Sequence, residues 1–266
     1  MPHLERANNR YLQATERLAS GQRINHPYDD AAGLSRATLL ESEIRSAAQA
    51  QNNAGQGLAI IQIAEGGMQQ AGNILMRMRE LAVQGSNEAT SDQERQLLGI
   101  ELGQLSEELD RLANTVRYAD SPLLNGQGRD YVFQVGTGNT EYDRVSFNTS
   151  SVDARADSLG VRGLSVSDSS SSQSSIDAIS NAIHQVQNSR ALLGAMQTRF
   201  HFVADQLKSY EMNVTSMHSM VMDADVAKET TELLSSEIQQ RSAIAVMAQA
   251  NIYPRLALKL IEMGMM

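Results

Sequence analysis

The stretch Ile61–Ala82, IQIAEGGMQQAGNILMRMRELA, decides the fold. Within it Ile61, Ala64, Met68, Ala71, Leu75, Met78 and Ala82 recur at alternating spacings of three and four, which lines them up on one face of an α-helix. Such a stripe is a heptad seam and must be covered by another helix. Continued through the apolar positions from Leu39 to Ile60, it predicts a helix from about Ala37 to Gly85, on the order of 70 Å long. A rod of that length does not fit inside a rounded domain of this size.

Beyond the break at Gly85–Thr90, Ser91 and Glu94 form an S-x-x-E capping box that opens a second helix. Its seam, Leu98, Leu102, Leu105, Leu109, Leu112 and Val116, keeps the same alternation, so the two helices fold back antiparallel and share one seam. From Asp120 to Ser175 the character changes. Asn125-Gly126, Gly128, Gly136 and Gly138 punctuate Tyr131–Val135 and Arg144–Phe147, the pattern of a β-hairpin or small sheet. The nearly all-serine run Ser167–Ser175 reads as a loop or linker.

Helical spacing returns at Ile176, Ile179, Ile183 and Val186. It weakens around Arg190 and Gln197 and resumes in a shifted register at Leu207, Tyr210, Val214, Met217 and Val221. A final helix from Glu229 is apolar on nearly every side between Ala243 and Ile252, until Pro254 interrupts it. The expected fold is mainly α: a long antiparallel helical rod or coiled-coil bundle formed by the N- and C-terminal segments, with a small β-hairpin region in the middle. The divisions are 1–36 (inner helix and connector), 37–119 (outer helices), 120–175 (hairpin and serine linker), 176–222 (outer helix) and 223–266 (C-terminal inner helix).

Composition agrees. The 266 residues are 41% hydrophobic but only 4% aromatic, with no Trp, which suits helices in side-by-side contact. The formal charge of −9 argues against nucleic acid as a partner, and the absence of Cys excludes disulfides, thiolate metal sites and cysteine nucleophiles. No apolar run has signal-peptide or membrane-spanning length.

Several segments resemble bacterial flagellins: ERLASGQRINHPYDDAAGL (Glu16–Leu34), AEGGM (Ala64–Met68), MRMRELAVQGS (Met76–Ser86), ELDR (Glu108–Arg111) and VMAQANIYPRLALKL (Val246–Leu260). The resemblance implies a structural, non-enzymatic subunit with no cofactor, exported unfolded by the flagellar type III apparatus. It would polymerise into the extracellular flagellar filament used for swimming. The implied partners are copies of itself, an export chaperone, and junction and cap proteins. Two departures stand out: the family has more residues ahead of the ERLASG-type segment than the 15 here, and Arg255 stands where a smaller uncharged polar residue is common. A hook-filament junction protein shares the terminal helices and is the nearest alternative; a non-flagellar coiled-coil scaffold is another.

By the same resemblance Ala248, Ile252, Leu256 and Leu260 pack the filament core, and Arg23, Asp29 and Asp30 form a connector that meets neighbouring subunits. Physically, adjacent carboxylates with no nearby His or phosphate loop are caps and ion pairs rather than a catalytic pair. The five histidines, His3, His26, His184, His201 and His218, lack zinc-site spacing. The methionines Met68, Met76, Met78, Met212, Met217, Met220 and Met222 are expected in helix packing. In flagellins sensed by Toll-like receptor 5, matching positions include Arg77, Leu81 and Glu108, and Met76 stands where those proteins have glutamine. Asn148-Thr149-Ser150 and the serine run read as polar linker that a glycan could occupy.

Overall fold

Asp30 sets the start of the longest helix. Its Oδ1 accepts the Gly33 N–H at 2.8 Å and its carbonyl the Leu34 N–H at 2.9 Å, so α2 runs Ala31–Ser86, beginning earlier than its apolar stripe implies. The computed structural model describes the backbone of residues 2–264, and side chains from His3 to Ala250 and at Ile252. The other helices are α1 (Pro2–Ser20), α3 (Asp92–Thr115), α4 (Ser169–Met222) and α5 (Val226–Gly264). Two antiparallel hairpins lie between α3 and α4: β1 (Arg117–Tyr118) with β2 (Ser121–Pro122), and β3 (Asp130–Gln134) with β4 (Arg144–Asn148). The chain divides into two units, residues 1–44 with 212–266, and residues 45–211.

The second unit is a three-helix bundle closed by the β3–β4 hairpin. All seven seam residues of α2 from Ile61 to Ala82 are buried, and the seam extends back through Ala54. Against it pack Leu98, Leu102 and Leu109 of α3 and Ile179, Val186, Leu193 and Phe200 of α4. Both neighbours run antiparallel to α2: Arg77 pairs with Glu101 and the Arg95 side chain bonds the Gly85 carbonyl on one side, while Glu65 holds Arg190 at 2.8 Å on the other. The Ser91–Glu94 capping box is present, with Ser91 N–H donating to Glu94 at 2.8 Å. On the hairpin Tyr131 lies opposite Phe147 and Phe133 opposite Val145, so alternate residues turn one face to the bundle.

Four expectations are corrected. Ser169–Ser175 are not linker but the first turns of α4. Ser172 and Ser175 are buried because their hydroxyls donate to the carbonyls of Asp168 and Ser165, while Asp168 accepts the Ser171 N–H. Nor does the α4 seam shift register. Val186, Leu193, Phe200, Leu207 and Val214 are buried at strict intervals of seven, and Arg190 sits between them because it answers Glu65. The α5 backbone stays helical through Pro254, since losing one amide donor leaves the flanking hydrogen bonds in place. Of the methionines, Met68, Met78 and Met222 are buried, whereas Met76, Met212, Met217 and Met220 are exposed one or more positions off the seam.

Candidate subunit-contact site

In the unit formed by the two ends of the chain, α1 ends at Gly21. Its positive φ of 71° and N–H bond to the Arg17 carbonyl cap the helix in the left-handed conformation. The chain then meets the α4–α5 junction as a short antiparallel clasp. Arg23 N–H donates to Met222 O at 2.6 Å, Ala224 N–H to Gly21 O at 3.0 Å, and Gln22 bridges Asp223. Beneath the clasp Ile24, Ala37 and Met222 form a small core with Leu34 and Val221.

The three connector residues expected at subunit contacts lie in this clasp. The Arg23 guanidinium donates to the Val221 carbonyl at 2.9 Å and lies 3.8 Å from Asp30. Asp29 folds the loop around itself: its Oδ2 accepts the N–H groups of Asn25 and His26, and its Oδ1 accepts Gln13 from α1. His26 pairs with Glu16 at 2.8 Å and stacks on Tyr28, which stands largely in solvent.

Burial works against the Asp29 carboxylate, but the His26 and Asn25 amides, then Gln13 and Arg17, outweigh it and hold its pKa below the ordinary aspartate value. A depressed folded-state pKa contributes stability above the unfolded aspartate pKa, and that contribution is lost as pH falls through the folded value. The Asn25 and His26 amide shifts are therefore expected to titrate together, with a midpoint below that of unfolded aspartate, and Asp29→Ala should abolish that titration. NMR of the intact chain checks this.

The antiparallel α1–α5 pair carries three polar contacts that sequence reasoning missed. Arg17 meets Glu229 at 3.2 Å with Glu229 buried, Gln240 donates to Asn8 at 3.1 Å, and Arg10 lies 3.9 Å from Glu232 at the surface. Of the residues expected in a filament core, Ala248 and Ile252 are exposed on α5, and the side chains of Leu256 and Leu260 lie outside the described residues. Among the described residues no three His, Asp or Glu side chains converge as a metal site, and no helix is long and apolar enough to cross a membrane.

In the other unit, Arg77, Leu81 and Glu108 do not form one surface cluster. Arg77 is half-exposed and bonds Glu101 and Glu80, hydrogen bonds that raise its pKa. Leu81 is 1% exposed, inside the bundle. Glu108 is paired with Arg111, one helical turn along α3, and that bond lowers its pKa. The acid brought to Arg77 is Glu101. Asn148 is also engaged, donating to Asp130 and accepting from Ser150, with Thr149 buried beside it.

The paired terminal helices find their counterpart among known proteins. A model of the bacterial flagellin N-terminal helical region matches residues 1–129, and one of the bacterial flagellin C-terminal helical region matches residues 176–261. The chain belongs to the bacterial flagellin family. The flagellin of Halalkalibacterium halodurans is 36% identical over 96% of this chain and 93% of its own length. Those of Listeria monocytogenes (34%, 98% and 95%) and Bacillus subtilis (32%, 93% and 91%) are similar throughout. In fold the chain resembles the crystal structure of Bacillus cereus flagellin, with a TM-score of 0.52, 22% identity, and coverage of 59% of this chain and 88% of that one. It also resembles a putative flagellar hook-associated protein from Vibrio parahaemolyticus, with a TM-score of 0.60, 15% identity, and coverage of 73% and 99%. Fold alone thus fits both filament and hook-associated proteins, whereas the sequence matches are to flagellins, a family of structural proteins rather than enzymes.

Proposed function

We propose that the chain is a flagellar filament subunit whose copies join through the outward face of α5. It is exported unfolded by the flagellar type III apparatus and assembles outside the cell with the help of a chaperone and of junction and cap proteins. One observation supports the joining surface above the rest: with α1 on one side of α5, Leu234, Ile238, Val246 and Ile252 on its other faces stay exposed. Large apolar side chains left in water along a helix mark a surface awaiting a partner. A surface that differs from the one it contacts gives a head-to-tail helical array rather than a closed ring. The connector, with Arg23 and Tyr28 exposed and Asp29 and Asp30 partly so, adds polar contacts between neighbours.

Negative-stain electron microscopy after seeding or salt-induced assembly tests the reading. The intact chain should form filaments, and a chain lacking Ser242–Met266 should not. Discrete oligomers from both would move the assignment to a hook-filament junction protein or a coiled-coil scaffold.

The exposed Arg77–Glu101 pair on α2 and α3 supports a second role, recognition by Toll-like receptor 5, with Leu81 acting as a buried support for that surface. Arg77→Asp should abolish receptor activation in a reporter-cell assay. It should lower stability only slightly, because solvent screens both the lost ion pairs and the new repulsion from Glu80 and Glu101. An unaltered response would remove Arg77 from the contact.

A further inference from the structure

α5 carries two seams, and the less apolar one is occupied. Towards α1 it turns Glu229, Leu233, Ser236, Gln240, Ala243 and Met247, all buried or half-buried, at spacings of four and three. Each of these positions plus five gives Leu234, Ile238, Arg241, Ala245, Ala248 and Ile252, the same heptad pattern about 140° round the helix, and all of these are exposed. The seam that α1 offers is Leu4, Ala7, Tyr11, Ala14 and Leu18. By apolar area alone it would be better buried where Leu234 and Ala245 stand in place of Glu229 and Gln240, even though Arg241 stands there in place of Ser236. It docks on the polar seam.

What that seam has is a matched set of polar groups, Arg17 with Glu229 and Asn8 with Gln240. The Glu229 side chain is 7% exposed, and Arg17 Nε is buried without a hydrogen-bond partner, so the pair is incompletely satisfied and is poorly suited to add net stability. Its strength lies in what it forbids. Any arrangement that buries one charge without the other is heavily penalised. Sliding the helices by one heptad along α5 sets Arg17 against Ser236, and docking α1 on the other seam sets it against Leu234. We infer that the Arg17–Glu229 pair, seconded by Asn8 and Gln240, selects which face of α5 receives α1 and thereby reserves the apolar face for a second copy of the chain. Only the last clause rests on the filament reading; the choice of face is a property of the single subunit.

The chain has no cysteine, so introduced pairs give a clean readout. Ala14→Cys with Leu233→Cys reports the occupied seam, and Ala14→Cys with Ile238→Cys reports the other, each scored as intramolecular disulfide in dilute monomer. In the otherwise native chain only the first pair should close. With Arg17→Leu and Glu229→Leu added, closure of the second should rise to within about tenfold of the first. The reversed pair, Arg17→Glu with Glu229→Arg, should restore the native preference. Unchanged preference in the double-leucine background would overturn the inference. So would loss of its helical circular dichroism, since two apolar residues in an apolar seam should fold at least as well if the charges serve selection. These readouts are taken on monomer, so failure of filament assembly in the parent chain would be a separate result.

Discussion

An Ile238→Asp subunit is expected to fold normally and to form no filaments. In the single subunit Ile238 is 67% exposed on α5, so the change should cost no more than about 0.5–1 kcal/mol, most of it helix propensity. Once a neighbour covers that face the same carboxylate is buried without a partner, at a cost of several kcal/mol for every subunit added. Circular dichroism should match the parent chain, while pelleting and electron microscopy should show the protein entirely in the soluble fraction. Filaments of ordinary length would show that the outward seam of α5 is not where copies join.

Phe200→Ala should act at the opposite level, destabilising the bundle without touching its outer surface. Phe200 is buried edge-on to Phe133, with ring centroids 5.4 Å apart, in a notch that exists because position 57 is glycine. A Cβ there would lie 2.5 Å from the Phe200 ring. Truncating a buried Phe typically costs about 3–5 kcal/mol, a large share of the roughly 5–15 kcal/mol that holds a domain together. Urea titration should show the midpoint falling with little change in slope. A loss below about 1 kcal/mol would mean that α2 and α4 close the notch by themselves. Leu102 and Leu109, buried in the same core, belong to this class of subunit-stabilising residues.

The two predictions rest on features that were unequally legible in the sequence. The α2 and α3 seams could be read directly, because apolar residues occupy both positions of each heptad. In α4 the second seam position of each heptad is mostly polar from Arg190 onward, with Gln197, Glu211 and His218 following, and Arg190 itself pairs with Glu65, so the register looked shifted when it was continuous. Composition misled at the serine run, where the Ser172 hydroxyl turns back on the carbonyl four residues earlier and the Ser175 hydroxyl finds the Ser165 carbonyl outside the helix. At the chain ends Arg17 and Glu229 are 212 residues apart, and only the heptad offset of Glu229 from Ser236 and Ala243 hinted that its side chain turns inward. Likewise, nothing in the spacing said that Arg77 would face Glu101 rather than an acid nearer the end of α3.

The serine-rich start of α4 has a consequence for the order in which the chain acquires structure. Serine is a mediocre helix former whose hydroxyl competes for backbone groups, and Ser169, Ser172 and Ser175 are held by acceptors at Ser86, Asp168 and Ser165, two of which come from chain that must already be in place. Those first turns therefore cannot nucleate α4. The helix is expected to propagate towards them from Ile179 and Val186, so that within α4 the turns linking hairpin to bundle close last, like the final teeth of a zip.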